Sequence, residues 1–159
     1  MNAIGGRVKY GSPVIIDNQL IMNKKYKIVS RIYGGIGNQL FCYAAARRLA
    51  IVSKAELVID DVSGFAYDEL YHRHYQLDNF SIPCSKASLN ERLEPFSRLK
   101  RYVKRAYNFR LPFTKRTYIQ ESCLDFDSRL LTLQPRGNVY LDGYWQSEDY
   151  FKDVENTIR

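Results

Sequence analysis

The sequence predicts an α/β fold, a Rossmann-like layer grown from one βαβ unit. Three observations predict it: an apolar run at Tyr26–Tyr33, a glycine-rich turn at Gly34-Gly35-Ile36-Gly37, and a long helical pattern leading into a second apolar run at Glu56–Asp60. Strand, tight turn, helix, short connection, strand is the signature of a right-handed parallel crossover.

Each element has its own reason. Ile28, Val29 and Ile32 make the first run a buried strand. From about Asn38 to Ser53, Phe41, Ala45, Leu49 and Val52 recur at steps of four and three, flanked by Leu40, Ala44 and Ile51, the spacing of an amphipathic helix. Lys54-Ala55 is a connection short enough to return the chain to a neighbouring strand. Val62 to Ile82 is irregular and rich in Tyr, Asp and His. Thr117–Glu121 reads as a short strand, Asp127–Gln134 as one or two helical turns ended by Pro135-Arg136-Gly137-Asn138, and Val139-Tyr140-Leu141 as a buried strand. A last helix is expected to open at Ser147, with Glu148 and Asp149 in its first turn and Phe151, Val154 and Ile158 on its inner face; it reaches Arg159 without a stop signal.

Composition bounds the rest. The chain has 159 residues, 45% hydrophobic and 26% charged, enough for one domain with a core and outside the disordered range. Cys42, Cys84 and Cys123 are odd in number and widely spaced, which argues against a disulfide scaffold or a structural zinc. His72 and His74 alone make a weak metal site. No run approaches the roughly 20 apolar residues of a membrane span. Residues 1–25 lack the apolar core of a signal peptide and read as an N-terminal extension before a domain over 26–159. A cytoplasmic protein is expected.

The net charge of +7 is concentrated. Lys86 to Arg116 holds ten Lys and Arg against Glu91 and Glu94, a local charge of +8, while the remaining 14 basic and 15 acidic residues come to −1. Leu89, Leu93, Phe96, Leu99, Val103 and Tyr107 give this stretch a helical apolar stripe, with Arg92, Arg98, Lys100, Arg101, Lys104 and Arg105 opposite and Pro95 as a divider. Two readings stand: a solvated polar face over an ordinary core stripe, or attraction to anions such as membrane headgroups through the 92–116 stretch. No nucleic-acid reading motif accompanies the charge, so nucleic acid is not an expected partner.

The glycine turn carries the chemistry. Glycine lets backbone approach a ligand closely, and a helix N-terminus offers free N–H groups and partial positive charge to phosphates or polarised oxygens. Gly35, Gly37, Asn38 and Gln39 are therefore candidate donor-binding residues, with Asn38 near the N-cap. The P-loop pattern fails because Asn and Gln follow Gly37. The dinucleotide pattern G-x-G-x-x-G finds Gly35 and Gly37, but Leu40 stands at the third position; Asp60, ending the second strand, could imitate the ribose-binding acid. A dinucleotide-dependent oxidoreductase thus stays as an alternative, as does a non-catalytic domain that binds membrane or glycan.

The segment Gly34-Gly35-Ile36-Gly37-Asn38-Gln39-Leu40-Phe41, followed by Tyr43-Ala44, resembles the opening motif of the α-1,2-fucosyltransferases, glycosyltransferase family eleven. Arg73-His74-Tyr75-Gln76-Leu77-Asp78-Asn79-Phe80 is similar to that family's R-x-Y-x-L-x-x-F segment. Leu141-Asp142-Gly143-Tyr144-Trp145-Gln146-Ser147-Glu148-Asp149-Tyr150-Phe151 resembles its L-x-G-Y-[FW]-Q-S-x-x-Y-F motif.

The resemblance implies the N-terminal, acceptor-side half of a GT-B-type enzyme. It implies inverting transfer of L-fucose from GDP-fucose to the 2-hydroxyl of a terminal galactose in an oligosaccharide or glycolipid, with no required metal or other cofactor. The family's H-x-R-x-x-D motif, whose Arg engages the donor diphosphate, has no counterpart here, so the second domain is expected to be missing and the chain inactive alone. Inverting transfer needs an aimed hydroxyl, help with its proton and a stabilised leaving diphosphate. Asn38 and Asp60 are the candidate catalytic residues, Asp61 lying beside the latter; capping or loop hydrogen bonding is the competing role for each. Tyr144, Trp145 and Gln146 are candidate acceptor-binding residues, with packing the competing role for Trp145. The resemblance implies work that, in the family's bacterial members, is often done at the inner membrane face, which fits the basic helix.

Overall fold

A computed structural model describes residues 26–123 and 125–158. The expected extension over 1–25 and the helix end at Arg159 lie outside the described residues. Five parallel strands form one sheet in the order β3-β2-β1-β5-β4: β1 Lys27–Arg31, β2 Glu56–Asp60, β3 Ser85–Lys86, β4 Tyr118–Gln120 and β5 Val139–Asp142. β1 pairs with β2 from Lys27↔Glu56 to Arg31↔Asp60 and with β5 from Ile28↔Val139 to Ser30↔Leu141. This is the expected α/β, Rossmann-like layering. The chain steps one way from β1 through β2 to β3, then returns to the other side. The strand order therefore reverses between β1 and β5, and ligands of open α/β sheets bind outside the carboxyl ends of the strands at such a point.

Helix α1, Ile36–Val52, fills the crossover between β1 and β2. It begins two residues before the expected Asn38, because Gly35 serves as N-cap and the Gln39 N–H already bonds Gly35 O at 3.0 Å. Its buried side is centred on Cys42, Ala45, Ala46 and Leu49. Small residues there bring the helix close to the sheet, so Phe41 and Val52 are only partly covered. On this side of the sheet the core gathers Ile28, Ile59, Leu77, Ile119, Leu133, Leu141 and Trp145. Val29, Val58, Tyr118 and Tyr140 face the other side, where Leu93 packs on them. Both faces of the central strands are covered, as continuous apolar runs require.

Two elements differ from expectation. The final helix does not start at Ser147; turns of 3₁₀ helix at Glu148–Tyr150 and Lys152–Val154 come first, and α3 spans only Glu155–Ile158. Arg48 of α1 holds this segment, forking onto Asp153 with Nη2–Oδ2 at 2.7 Å and donating to Leu131 O at 2.8 Å.

The basic stretch forms one helix, α2 Ser97–Phe109, beginning just after Pro95; residues before it are turns. Its orientation is the reverse of an ordinary core stripe. Leu99, Val103 and Tyr107 are 63%, 57% and 63% exposed, whereas Arg101 and Asn108 are buried. The reason lies at strand β4. Asn108 Oδ1 accepts from the Thr117 N–H at 2.7 Å and the Tyr118 N–H at 3.1 Å, and its Nδ2 donates to Lys104 O at 2.8 Å. Backbone donors at the sheet edge need partners, and the polar side of α2 provides them. The apolar side is left outward.

Candidate functional site at the strand-order reversal

The β1–α1 turn and the loop after β5 meet at the reversal point. Gly34 has φ +80°, a left-handed conformation natural to glycine, and a Cβ there would lie 2.9 Å from both Asn38 Nδ2 and Tyr144 Cε1. The turn is thus packed between the two side chains it presents. Gly35 and Gly37 have open space where a Cβ would stand, so the first turn of α1 is accessible. Its leading N–H groups have no partner within the helix by construction, and they point out of the sheet edge together with the positive end of the helix.

Asn38 is half-buried and accepts from Gln146 Nε2 at 2.6 Å. Tyr144 stacks at a tilt on Tyr33, ring centroids 4.3 Å apart. Burial pushes both phenols above their ordinary range, Tyr33 also by the nearby Asp142 carboxylate, so both remain neutral donors at neutral pH. Asn38, Gln146, Tyr144 and Tyr33 thereby form one polar and aromatic group at the mouth of the turn. Below it, α1 borders an apolar groove of ≈ 710 Å³ lined in part by Gly37, Leu40, Phe41, Phe80 and Phe151.

Four expected site residues are placed elsewhere. Gln39 does not face the opening. It is fully buried, donating from Nε2 to Gly34 O at 3.0 Å and His74 O at 2.9 Å while Oε1 accepts from the Gln76 N–H at 2.9 Å. It ties the glycine turn to the 73–80 segment, linking the first two motifs. Asp60 is 0% exposed. Its Oδ1 accepts from the Ser63 N–H at 2.9 Å, and its Oδ2 from Ser63 Oγ and Tyr140 Oη, each at 2.6 Å. Its oxygens are occupied inside the sheet, where it anchors the loop after β2. Asp61 pairs with Lys86 at 3.2 Å. Trp145 is buried in the core, edge-on to Tyr150 at 5.5 Å, the packing alternative raised for it.

Glu121, the last residue of the expected 117–121 strand, lies just past β4 and carries no local signal of a role in the site. Its two oxygens accept from the N–H groups of Tyr144 at 2.7 Å and Trp145 at 3.0 Å. This holds the loop after β5 in a conformation with Trp145 at φ 56°, a region costly for a bulky residue unless its surroundings fix it. Arg31 at the end of β1 is a second such residue: Nη1 bonds Asp142 Oδ1 at 3.0 Å, and Nε and Nη2 reach Ser63. Nothing in the local sequence marks either residue, because both act through partners distant in the chain. Among the described residues, no group of three or more His, Cys, Asp or Glu comes together to hold a metal, and no helix is long and apolar enough to cross a membrane.

No family model matches the chain, and no solved structure matches it. Over 134 residues it is 25% identical to an alpha-1,2-colitosyltransferase of Escherichia coli, a match covering 83% of this chain and 43% of that protein. The chain therefore spans less than half the length of this relative. The similarity supports a distant relationship to glycosyltransferases.

Proposed function

We propose that this chain is the acceptor-side domain of a GT-B-type, inverting α-1,2-glycosyltransferase that moves L-fucose from GDP-fucose to the 2-hydroxyl of a terminal galactose. The observation that carries the reading is the Asn38–Gln146 hydrogen bond. It joins two motifs 108 residues apart in the chain into one polar pair at the strand-order reversal. A galactose whose apolar face lies on the Tyr33–Tyr144 rings would bring a hydroxyl to this pair. The open N–H groups at the start of α1 would then face the negative charge that builds on the departing diphosphate.

Asn38 and Gln146 orient; neither is a base. Asp60 acts at one remove, keeping the loop after β2 and Tyr140 in place. The proton acceptor and the main diphosphate contacts are assigned to a second Rossmann-like domain, in keeping with a relative more than twice the length of the matched region. In its name that relative transfers colitose, so a colitosyl donor is the specific alternative to a fucosyl one. A dinucleotide-dependent oxidoreductase finds less support, since Asp60, the carboxylate it needs at the ribose, is enclosed.

The apolar outer side of α2, bordered by the exposed Arg98, Lys100, Lys104 and Arg105, supports peripheral contact with an anionic membrane surface. The test is transfer by the complete protein, given GDP-L-fucose or GDP-colitose and a β-galactoside, with the linkage read by NMR. A 2-linked product is expected. Glycan binding without turnover, or reduction of a nicotinamide, would replace this reading with one of its alternatives.

A further inference from the structure

On the other side of Tyr33, a cleft of ≈ 260 Å³ opens between the carboxyl ends of β1, β4 and β5 and the inner side of α2. Four arginines line it: Arg31 from β1, and Arg98, Arg101 and Arg105 from α2. The spacing of three and four along α2 sets its three arginines in one row. The cleft's single carboxylate, Asp142, is already engaged, its Oδ1 by Arg31 and its Oδ2 by the Tyr118 hydroxyl. Arg105 Nη1 bonds the neutral Gln120 Oε1 at 3.0 Å, and Arg98 lies over the Tyr67 ring at 4.7 Å. Among the described residues, none of the three α2 arginines forms an ion pair with a carboxylate. Arg101 is the extreme case: 8% exposed, with a solvent-shielded Nη1 that makes no hydrogen bond. Buried charges in folded proteins are paired, and an unpaired guanidinium marks a missing partner.

We propose that this cleft binds a phosphate-class oxyanion, with Arg101 as its central ligand and Arg98 and Arg105 beside it. Guanidinium groups in a row suit the several oxygens of a phosphate or diphosphate, each able to accept two parallel N–H bonds. The site stands on its own geometry and does not depend on the transfer reaction proposed above. The same oxyanion chemistry occurs on soluble phosphate esters and on lipid headgroups. Both sources are compatible with a cleft next to the exposed side of α2.

The test is calorimetric titration of the whole 159-residue chain with inorganic pyrophosphate, at ionic strength held constant with potassium chloride. Saturable binding is expected, weakened about tenfold or more in Arg101→Met and to a lesser degree in Arg105→Gln. Arg105 is exposed, so its variant reads the site even if Arg101→Met fails to fold. Arg101→Met is also expected to melt no lower than the parent without pyrophosphate, because it removes a buried unpaired charge. Vesicles of phosphatidylcholine with and without phosphatidic acid separate the sources. Capture that requires phosphatidic acid, falls with Arg105→Gln and is displaced by pyrophosphate assigns a lipid headgroup; arginine-dependent pyrophosphate binding without such capture assigns a soluble ester. Heats no larger than those of chloride, or equal pyrophosphate affinity in the parent and both variants, would overturn the site.

Discussion

Asn38 and Gln146 meet across the mouth of the glycine turn, Gln146 Nε2 donating to Asn38 Oδ1 at 2.6 Å. Neither side chain supports the core, so their removal separates function from folding. Under the proposed function, Asn38→Ala and Gln146→Ala are each expected to lower transfer by the complete protein about 10- to 100-fold, in line with the loss of one oriented polar contact. Melting of either variant should stay within about 0.5 kcal/mol of the parent, as for surface substitutions in general. Initial-rate kinetics and thermal melts of the same preparations check both halves.

Gly34 makes the opposite case. Its φ is +80°, and a methyl group added there would come within 2.9 Å of Asn38 and Tyr144. Gly34→Ala therefore strains the backbone and displaces the site together. A loss of about 1–3 kcal/mol is expected, measured by denaturant titration. Gly37→Ala, with open space at its Cβ and a helical position, should be neutral or slightly stabilising.

Glu121 positions the loop after β5 through two backbone N–H groups. Glu121→Gln keeps the shape but can accept through only one oxygen. We expect it to cost about 1.5–3 kcal/mol, the worth of a hydrogen bond to a charged group, and to redshift the emission of Trp145, the chain's one tryptophan, as the indole becomes wetter.

The Lys27–Glu91 pair sets a pH dependence. The Lys27 ammonium, 2.6 Å from Glu91 Oε1, and the Ser88 N–H and hydroxyl hold the Glu91 carboxyl down at about 2, against an ordinary 4.5. A depressed folded-state value means stability that is full above 4.5 and lost as pH falls toward 2. Melting temperature of the parent should therefore drop through that window, and Glu91→Gln should flatten part of the drop while melting lower at about pH 7.

The outward apolar side of α2 predicts a surface effect without a folding effect. Leu99→Asp with Val103→Asp should reduce binding to vesicles containing anionic lipid by about tenfold or more, through loss of buried apolar area. The melting temperature should be unchanged or higher, since both side chains face solvent. Vesicle sedimentation and thermal melts check this. Pyrophosphate binding in the arginine cleft should survive the substitution, which keeps the two surfaces separable.

The sequence made the β1–α1–β2 unit legible because its signals are local. The glycines at 34, 35 and 37, the short Lys54-Ala55 return and the apolar runs all act within a few residues, and β2 falls on the expected Glu56–Asp60. What escaped is set by distant partners. Asp60 is enclosed by a hydroxyl 80 residues away, and Gln39 by backbone groups 35 and 37 residues away; each looked like an open-edge ligand only while those partners were out of view. The orientation of α2 was hidden for the same reason. Its helical stripe was visible, but the demand of the β4 N–H groups for Asn108 was not, and that demand turned the polar side inward. Strand β3, two exposed residues long, has no apolar pattern to read.

In the proposed reading, the β1–α1 turn and the loop after β5 together receive the acceptor galactose. The most direct measurement is an NMR titration of the isotopically labelled chain with a β-galactoside disaccharide, following backbone and side-chain amides. Saturable shifts are expected at Gly35, Gly37, the side-chain amides of Asn38 and Gln146, and Tyr144, all abolished by Asn38→Ala. Shifts confined to other parts of the chain, or a footprint that Asn38→Ala leaves intact, would contradict it.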